Sequence, residues 1–415
     1  MSSTVTHRPT AAVPALTLVF ALNGMLLAQT LSRMPTLRDQ VQASPARLGL
    51  ALLAVGVGSI VAMPWTARLA ERFGSPAVVA VAGVLTTASL STLALVPDPS
   101  WLTLNLFVVG IGVGVWDVSM NVQGNTLEHR HQRVLMPRLH AGFSAGAVVG
   151  ALTGAGFALL GAPLLVQLPA MSALGLALLL WCARCLTPDV HRRAARRGAD
   201  HPARRTGHRS RMTGLELVLG LLTFSTALGE GAANDWLALV LVDERGALES
   251  VGALTFAAFN LAMALGRFFG GKLIARHGRV AVLRVAGVCA VTGVLLVALV
   301  PSLSAAILGG LLWGLGLSVV FPAAMSAAGE VPGRGPRAIG VVSTIGYAGF
   351  LAGAPTIGLV AERIGLDHAL VVVAGVCTLI LGLAGTARER AQPSATAARP
   401  ASNRATGTRN GEQDT

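Results

Sequence analysis

Residues 110–128 read Gly-Ile-Gly-Val-Gly-Val-Trp-Asp-Val-Ser-Met-Asn-Val-Gln-Gly-Asn-Thr-Leu-Glu. The stretch opens as apolar sequence fit for a bilayer and then carries Asp117, Asn121 and Gln123 before any turn signal. Asp117 and Asn121 are four residues apart, so on a helix they share one face, one turn apart. A carboxylate at the centre of a bilayer costs roughly 2.5–3.5 kcal/mol on insertion scales, so it faces a cavity or a partner rather than lipid. Gly110, Gly112 and Gly114 leave room for another helix or a ligand to come close to the backbone. A membrane helix with such a face needs other helices around it.

The composition supplies them. The chain has 415 residues, of which 53% are hydrophobic and 12% charged, against roughly 25% charged in a soluble domain. The formal net charge of +13 rests on Arg with a single Lys. In so apolar a chain this charge marks cytoplasmic loops and excludes a nucleic-acid partner. Four cysteines make no disulfide framework. Cys182 and Cys185 form a Cys-x-x-Cys at the end of an apolar run, without the second pair or the setting of a redox or zinc site. No Gly-x-x-x-x-Gly-Lys-Ser/Thr loop is present, so the driving force is expected from a gradient rather than ATP. No catalytic triad or metal motif stands out, and neither an enzyme nor a cofactor is expected.

About 20 apolar residues span the hydrocarbon core as a helix. Twelve such segments are predicted, at 11–32, 47–67, 76–96, 101–123, 140–160, 164–186, 213–240, 250–271, 280–300, 303–327, 338–360 and 366–387. The first is too long for the apolar core of a signal peptide and is read as a retained helix. Of the 32 Lys and Arg, 26 fall in the loops and tails on the side of the termini and five in the opposite loops, with Arg267 inside a span. That asymmetry predicts a multi-pass protein of the cell (inner) membrane with both termini cytoplasmic. Residues 187–212 hold eight Arg and no apolar periodicity, and read as a cytoplasmic linker. The expected domains are 1–186, a six-helix bundle; 187–212, the linker; 213–387, a second six-helix bundle; and 388–415, a disordered tail.

The two bundles repeat. Residues 67–74 read Ala-Arg-Leu-Ala-Glu-Arg-Phe-Gly and residues 271–278 read Gly-Lys-Leu-Ile-Ala-Arg-His-Gly, so Leu69, Arg72 and Gly74 match Leu273, Arg276 and Gly278 at an offset of 204. The same offset places Gly110 and Gly112 on Gly314 and Gly316. Two homologous six-helix halves around a midplane site is a transporter plan.

Residues 67–74 resemble the loop 2–3 signature of the major facilitator superfamily, Gly-x-Leu-x-Asp-Arg-x-Gly-Arg-Arg. Here Ala67 replaces the first Gly, Glu71 the Asp, and Ser75 and Pro76 the final basic pair. The second copy keeps Gly271, Arg276, Gly278 and Arg279 but has Ala275 for the Asp. The likeness runs from about residue 11 to 387 and implies an all-α membrane fold of twelve helices in two pseudo-symmetric halves. Within the superfamily the chain resembles the fucose-permease-like branch, in which an acid on the fourth helix is followed four residues later by Asn, as Asp117 and Asn121 are. That resemblance implies a proton-coupling role for Asp117. The acid these permeases carry on helix 1 is missing; Asn23 and Gln29 stand there instead. The resemblance also implies that Glu71, Arg72, Gly74, Arg276, Gly278 and Arg279 gate the cytoplasmic ends.

On the seventh span, Glu230 and Asn234 are again four apart beside Gly229 and Gly231, as expected where a gating helix loosens. Glu230 is a second candidate for proton coupling. Asn121, Asn234, Asn23 and Gln29 are candidate hydrogen-bonders to a solute. Trp116 and Trp313 either stack on a ligand ring or pack. Arg267 has to find an ion-pair partner within the membrane or snorkel. Trp65, Trp101 and Trp181 read as interfacial belt residues, with Trp236 an equal candidate. Gly142, Gly146, Gly150 and Gly154 form a small-residue face on the fifth span. His140 is a minor candidate beside a basic loop. The expected function is proton-coupled transport of a small polar solute by a monomer in the lipid bilayer. Efflux of amphipathic compounds and a non-transporting receptor are the alternatives.

Overall fold

The computed structural model describes residues 11–133, 135–187 and 212–389; the expected linker and tail lie almost wholly outside them. Among the described residues twelve helical spans are long and apolar enough to cross a bilayer. They are built from fourteen α-helices: α1 (Ala12–Leu31), α2 (Met34–Val41), α3 (Pro45–Phe73), α4 (Ser75–Thr92), α5 (Pro99–His131), α6 (Met136–Leu159) and α7 (Leu164–Ala183) in the first half, then α8 (Gly214–Asp243), α9 (Glu249–His277), α10 (Arg279–Leu299), α11 (Leu303–Leu317), α12 (Val320–Gly329), α13 (Gly335–Ile364) and α14 (Leu366–Leu383).

Local chemistry sets where they start and stop. The Asp98 carboxylate accepts from the backbone N–H groups of Ser100 and Trp101 at 2.8 and 3.2 Å, and Pro99 opens α5. Thr213 and Glu216 form a reciprocal capping box at the start of α8. Gly74 and Gly278 join one helix directly to the next at φ of 89° and 81°, a conformation that glycine adopts without steric cost. They are equivalent positions of the sequence repeat, so the repeat is also one of backbone shape.

Two departures from the sequence reading matter. The segment after the first span was expected to be loop; residues 34–41 form α2 there, with Met34, Leu37 and Val41 buried on one face. The tenth span is broken between α11 and α12 at Ser318 and Val319. Pro322 has no N–H, and its ring collides with a continued helix at the carbonyl of Ser318. The Thr226 hydroxyl on α8 donates to the Leu317 carbonyl at 3.2 Å, so a carbonyl beside the break is satisfied across helices.

Packing repeats with the sequence. In the first half α1 lies on α6, α3 and α4 on α5, and α4 on α7; in the second half α8 lies on α13, α9 and α10 on α11, and α10 on α14. A Cβ added to Gly142 would sit 2.9 Å from the Thr17 carbonyl oxygen of α1, and Cβ atoms on Gly146 and Gly150 would press still closer on the carbonyls of Ala21 and Met25. The small-residue face of the fifth span therefore lets α1 and α6 meet backbone to backbone.

The halves meet through α3 on α13 and α6 on α9. Both contacts are tight at the end of the bundle that carries α2. A Cβ on Gly49 would lie 2.6 Å from the Ala354 carbonyl oxygen, and one on Gly358 2.5 Å from that of Pro45. Ala28, Ala147 and Ala151 pack with Phe256 and Ala257 in a small buried cluster. Toward the opposite end, where both borders of the undescribed linker lie, the same helices become exposed: Met63, Trp65 and Arg68 on α3, His140 and Ala141 on α6, Arg267, Phe268 and Phe269 on α9, and Tyr347 on α13. The structure is closed at the α2 end and open at the linker end.

Candidate functional site

Asp117 and Asn121 lie on one face of α5. The Asn121 side-chain amide donates to the Asp117 backbone carbonyl at 2.8 Å and reaches its carboxylate at 3.3 Å. Among the described residues no cation pairs with Asp117. Tyr347 of α13, in the other half, lies within electrostatic reach of that carboxylate and is 58% exposed. Tyr347 is thus an exposed side chain within electrostatic reach of an acid of the opposite half. It is the single tyrosine of the chain, and sequence reasoning passed over it. Its rarity in an apolar chain was the one available signal.

A second cluster faces the same open end. Arg267 of α9 donates from Nη2 to the Glu230 carboxylate of α8 at 2.9 Å. Glu230 and Arg267 were picked out separately in the sequence; the structure makes them partners. His140 of α6 lies within electrostatic reach of Arg267 from the first half and stands edge-on to Phe20 at 5.3 Å between ring centroids. Asn234, one turn beyond Glu230 on α8, is half-buried. Asn23 of α1 is buried, and among the described residues its side-chain amide nitrogen has no hydrogen-bond partner.

The other candidates lie elsewhere. Gln29, expected to bond solute, is fully buried and built into a network at the α2 end. Its side-chain nitrogen donates to Thr30 at 3.0 Å and its side-chain oxygen accepts from Gln167 at 2.8 Å. Gln167 in turn accepts from Arg33 Nη1 at 2.7 Å, and Arg33 Nε donates to Glu249 of the other half at 2.8 Å. Thr36 also bonds Glu249, and Arg38 pairs with Asp243. Two arginines that sequence reading counted only as loop charges thus join the halves. Trp116 and Trp313 are completely buried; Trp116 packs beside Gly83 of α4, and Trp313 stands edge-on to Phe259 at 5.9 Å. Of the two roles open to them, packing is the one this conformation displays. Trp236, an equal candidate for the interfacial belt, is buried, whereas Trp65, Trp101 and Trp181 are exposed.

Among the loop-motif residues, Arg279 bonds Glu330 at 2.6 and 3.1 Å and the Ala387 carbonyl at 3.0 Å, all within the second half. Here it fastens spans of one half together instead of bridging the halves. Its counterpart by the repeat, Ser75, accepts from Gln123 at 2.8 Å, and Gln123 also donates to the Thr187 carbonyl at 2.6 Å. Gln123 is therefore a buried bracket, not a cavity residue. Arg72 lies over the Phe73 ring, 5.1 Å from its centroid, and Glu71 and Arg276 are exposed. Among the described residues no group of three His, Cys, Asp or Glu is placed to hold a metal, and Cys182 and Cys185 are free thiols. An apolar furrow of about 430 Å³, lined by Leu50, Val57, Leu104 and Phe107, holds no ionisable group and lies away from the acids.

Two pseudo-symmetric six-helix halves, closed at one end and open at the other around scattered polar groups, define a secondary transporter of the alternating-access kind. The Major Facilitator Superfamily profile matches residues 16–228 and 219–410, and the chain belongs to that family. An uncharacterised MFS-type transporter of Yersinia pestis is 33% identical over 378 residues, covering 89% of this chain and 94% of that protein. An uncharacterised transporter of Sinorhizobium fredii is 32% identical over 370 residues, covering 85% and 94%. The crystal structure of a D-xylose–proton symporter superposes with a TM-score of 0.71 at 14% identity, covering 91% of this chain and 97% of that one. The chain is thus a multi-pass membrane transporter and not an enzyme.

Proposed function

We propose that the chain is a proton-coupled transporter of a small polar solute, with Asp117 as the group that takes up and releases the proton. The observation that carries this reading is the Asp117 carboxylate: it has Asn121 on its own helix and Tyr347 across the gap, and no cation among the described residues. Protonation removes the cost of enclosing a bare charge when the halves close over the site, and so links proton binding to the conformational equilibrium. Asn121, Asn23, Asn234 and Tyr347 are the hydrogen-bonding groups this reading assigns to the solute. The spacing of Asp117 and Asn121 supports a place near the fucose-permease-like branch. One solved neighbour bears the name of a proton symporter; at 14% identity it lends its fold alone.

The arginine distribution supports a cytoplasmic linker end, which makes this an inward-open form in the cell membrane. We read the chain as a monomer with domains at 1–186, 187–212, 213–387 and 388–415.

The test is proton uptake into proteoliposomes, driven by a panel of sugars, organic acids and amphipathic cations, for wild type and Asp117→Asn. A solute that moves protons in wild type but not in Asp117→Asn, while still binding, supports the assignment. Equal proton movement in both proteins makes Asp117 a structural contact. Silence across the panel favours the receptor reading.

A further inference from the structure

Arg267 is a guanidinium placed where an apolar chain can least tolerate one, and its pairing is incomplete. It donates to Glu230 from Nη2 alone. Among the described residues its Nε and Nη1 groups bond nothing, and its side chain keeps 37% of its exposure. Compare Arg33, which spends three nitrogens on Glu249, Gln167, Thr36 and the Ala162 carbonyl. Arg279 likewise uses both terminal nitrogens on Glu330, Ser326 and Ala387. Those arginines are structural ties with their donors consumed. Arg267 instead holds one carboxylate oxygen and keeps the rest of its fork unbonded among the described residues, on a partly exposed side chain. A planar fork of this kind matches a second carboxylate or a phosphate in bidentate fashion.

We propose that Arg267 is the anchor for an anionic group on the solute, and that Glu230 is the resident anion which that group displaces. This rests on reading the space between the halves as the solute site, and it narrows the solute from a small polar molecule to an organic acid or phosphate ester. In the resting form Glu230 neutralises Arg267. When a solute carboxylate takes the guanidinium, the Glu230 carboxylate is left without its cation. It takes one proton from the water of the open end and becomes a neutral acid. The solute's negative charge then rests on Arg267, Glu230 carries the proton, and the net charge of the enclosed group of three is what the resting pair had. The anion thus enters with a proton without adding charge to the membrane interior. Other charged or titratable groups face this point. His140 lies within electrostatic reach of Arg267 from α6 of the opposite half. Asp117 on α5 and Tyr347 on α13 lie within electrostatic reach of each other from opposite halves.

The test is thermal stabilisation of the purified full-length protein in detergent by matched probes: lactate against lactamide, gluconate against sorbitol, and inorganic phosphate. Four proteins are compared: wild type, Glu230→Gln, Arg267→Gln and the double variant Glu230→Gln/Arg267→Gln. The double variant removes both charges and is the control that has neither guanidinium nor carboxylate. In Glu230→Gln the guanidinium is unmasked, and at least one of the anions should raise the melting temperature by several degrees at tenfold lower concentration than in wild type. The matched neutral probe should do nothing, and the double variant should lose the effect. In wild type the half-effective concentration of lactate or gluconate should rise with pH, and in Glu230→Gln/His140→Gln that slope should vanish. An anion effect that survives in the double variant overturns the proposal. So does a Glu230→Gln protein that no anion stabilises. These are equilibrium measurements without a gradient, so they stand whether or not Asp117→Asn abolishes proton movement in liposomes.

Discussion

Gln123 shows how one side chain holds two loops. Its amide nitrogen bonds Ser75, which follows the turn at Gly74, and the Thr187 carbonyl at the border of the linker. Gln123→Leu keeps the volume but removes the donor to the Ser75 hydroxyl and the Thr187 carbonyl. A net cost of ~1–3 kcal/mol is expected, the penalty for a buried polar group without a partner. A lowered melting temperature with solute binding unchanged is the expected result; full stability would mean that water replaces the amide. Trp236 and Trp313 are the contrast. Both are buried, and among the described residues their indole nitrogens have no hydrogen-bond partner. Trp313→Phe therefore removes no hydrogen bond and should cost far less than Trp313→Ala, for which ~3–5 kcal/mol is typical. Equal losses in the two variants, read from unfolding in detergent, would point to a polar partner for the ring.

At the scale of helices, the contact of α1 with α6 depends on missing side chains. Gly146 presses on the Ala21 backbone, whereas a Cβ on Gly156 of the same helix meets open space. Gly146→Ala should force the pair apart and cost ~1–3 kcal/mol, the usual range for overpacking. Gly156→Ala should be neutral or slightly stabilising, as glycine inside a helix costs ~0.5–1 kcal/mol relative to Ala. Melting temperatures of the two variants decide this, and a tolerated Gly146→Ala would show that the helices slide freely. The break between α11 and α12 rests on Pro322 and on Thr226, which serves the Leu317 carbonyl. Only the first half of that device is written locally.

For the whole molecule, the α2 end is a latch. Arg33 and its bonds to Glu249 and Gln167 are largely shielded, with 4% exposure on Arg33 and 23% on Glu249. Removing one member of a buried pair costs ~3–5 kcal/mol, and here that cost falls only on the form in which the halves touch at this end. Glu249→Gln should therefore raise the population open at the α2 end. Spin labels at Gln42 and Leu248, in a background without the native cysteines, would report a longer distance component. An unchanged distance distribution would mean that the backbone contacts at Gly49 and Gly358 hold this end closed alone.

Hydropathy by itself determined twelve spans, because the cost of placing polar groups in a bilayer acts on each segment separately, while matched residues at one offset gave the two-half repeat and four-residue spacing gave the face shared by Asp117 and Asn121. Gly74 and Gly278 stood out in the sequence as matching positions of the repeat, and the structure adds that both have positive φ. Only the tertiary structure decided who pairs with whom. It turned Arg267 and Glu230 into one ion pair, drew Gln29 into the α2-end network, buried Trp116, Trp236 and Trp313, and brought Tyr347 of one half toward Asp117 of the other. Those outcomes depend on how helices far apart in sequence rotate and cross, and a linear pattern of polarity carries no record of the partner across the gap.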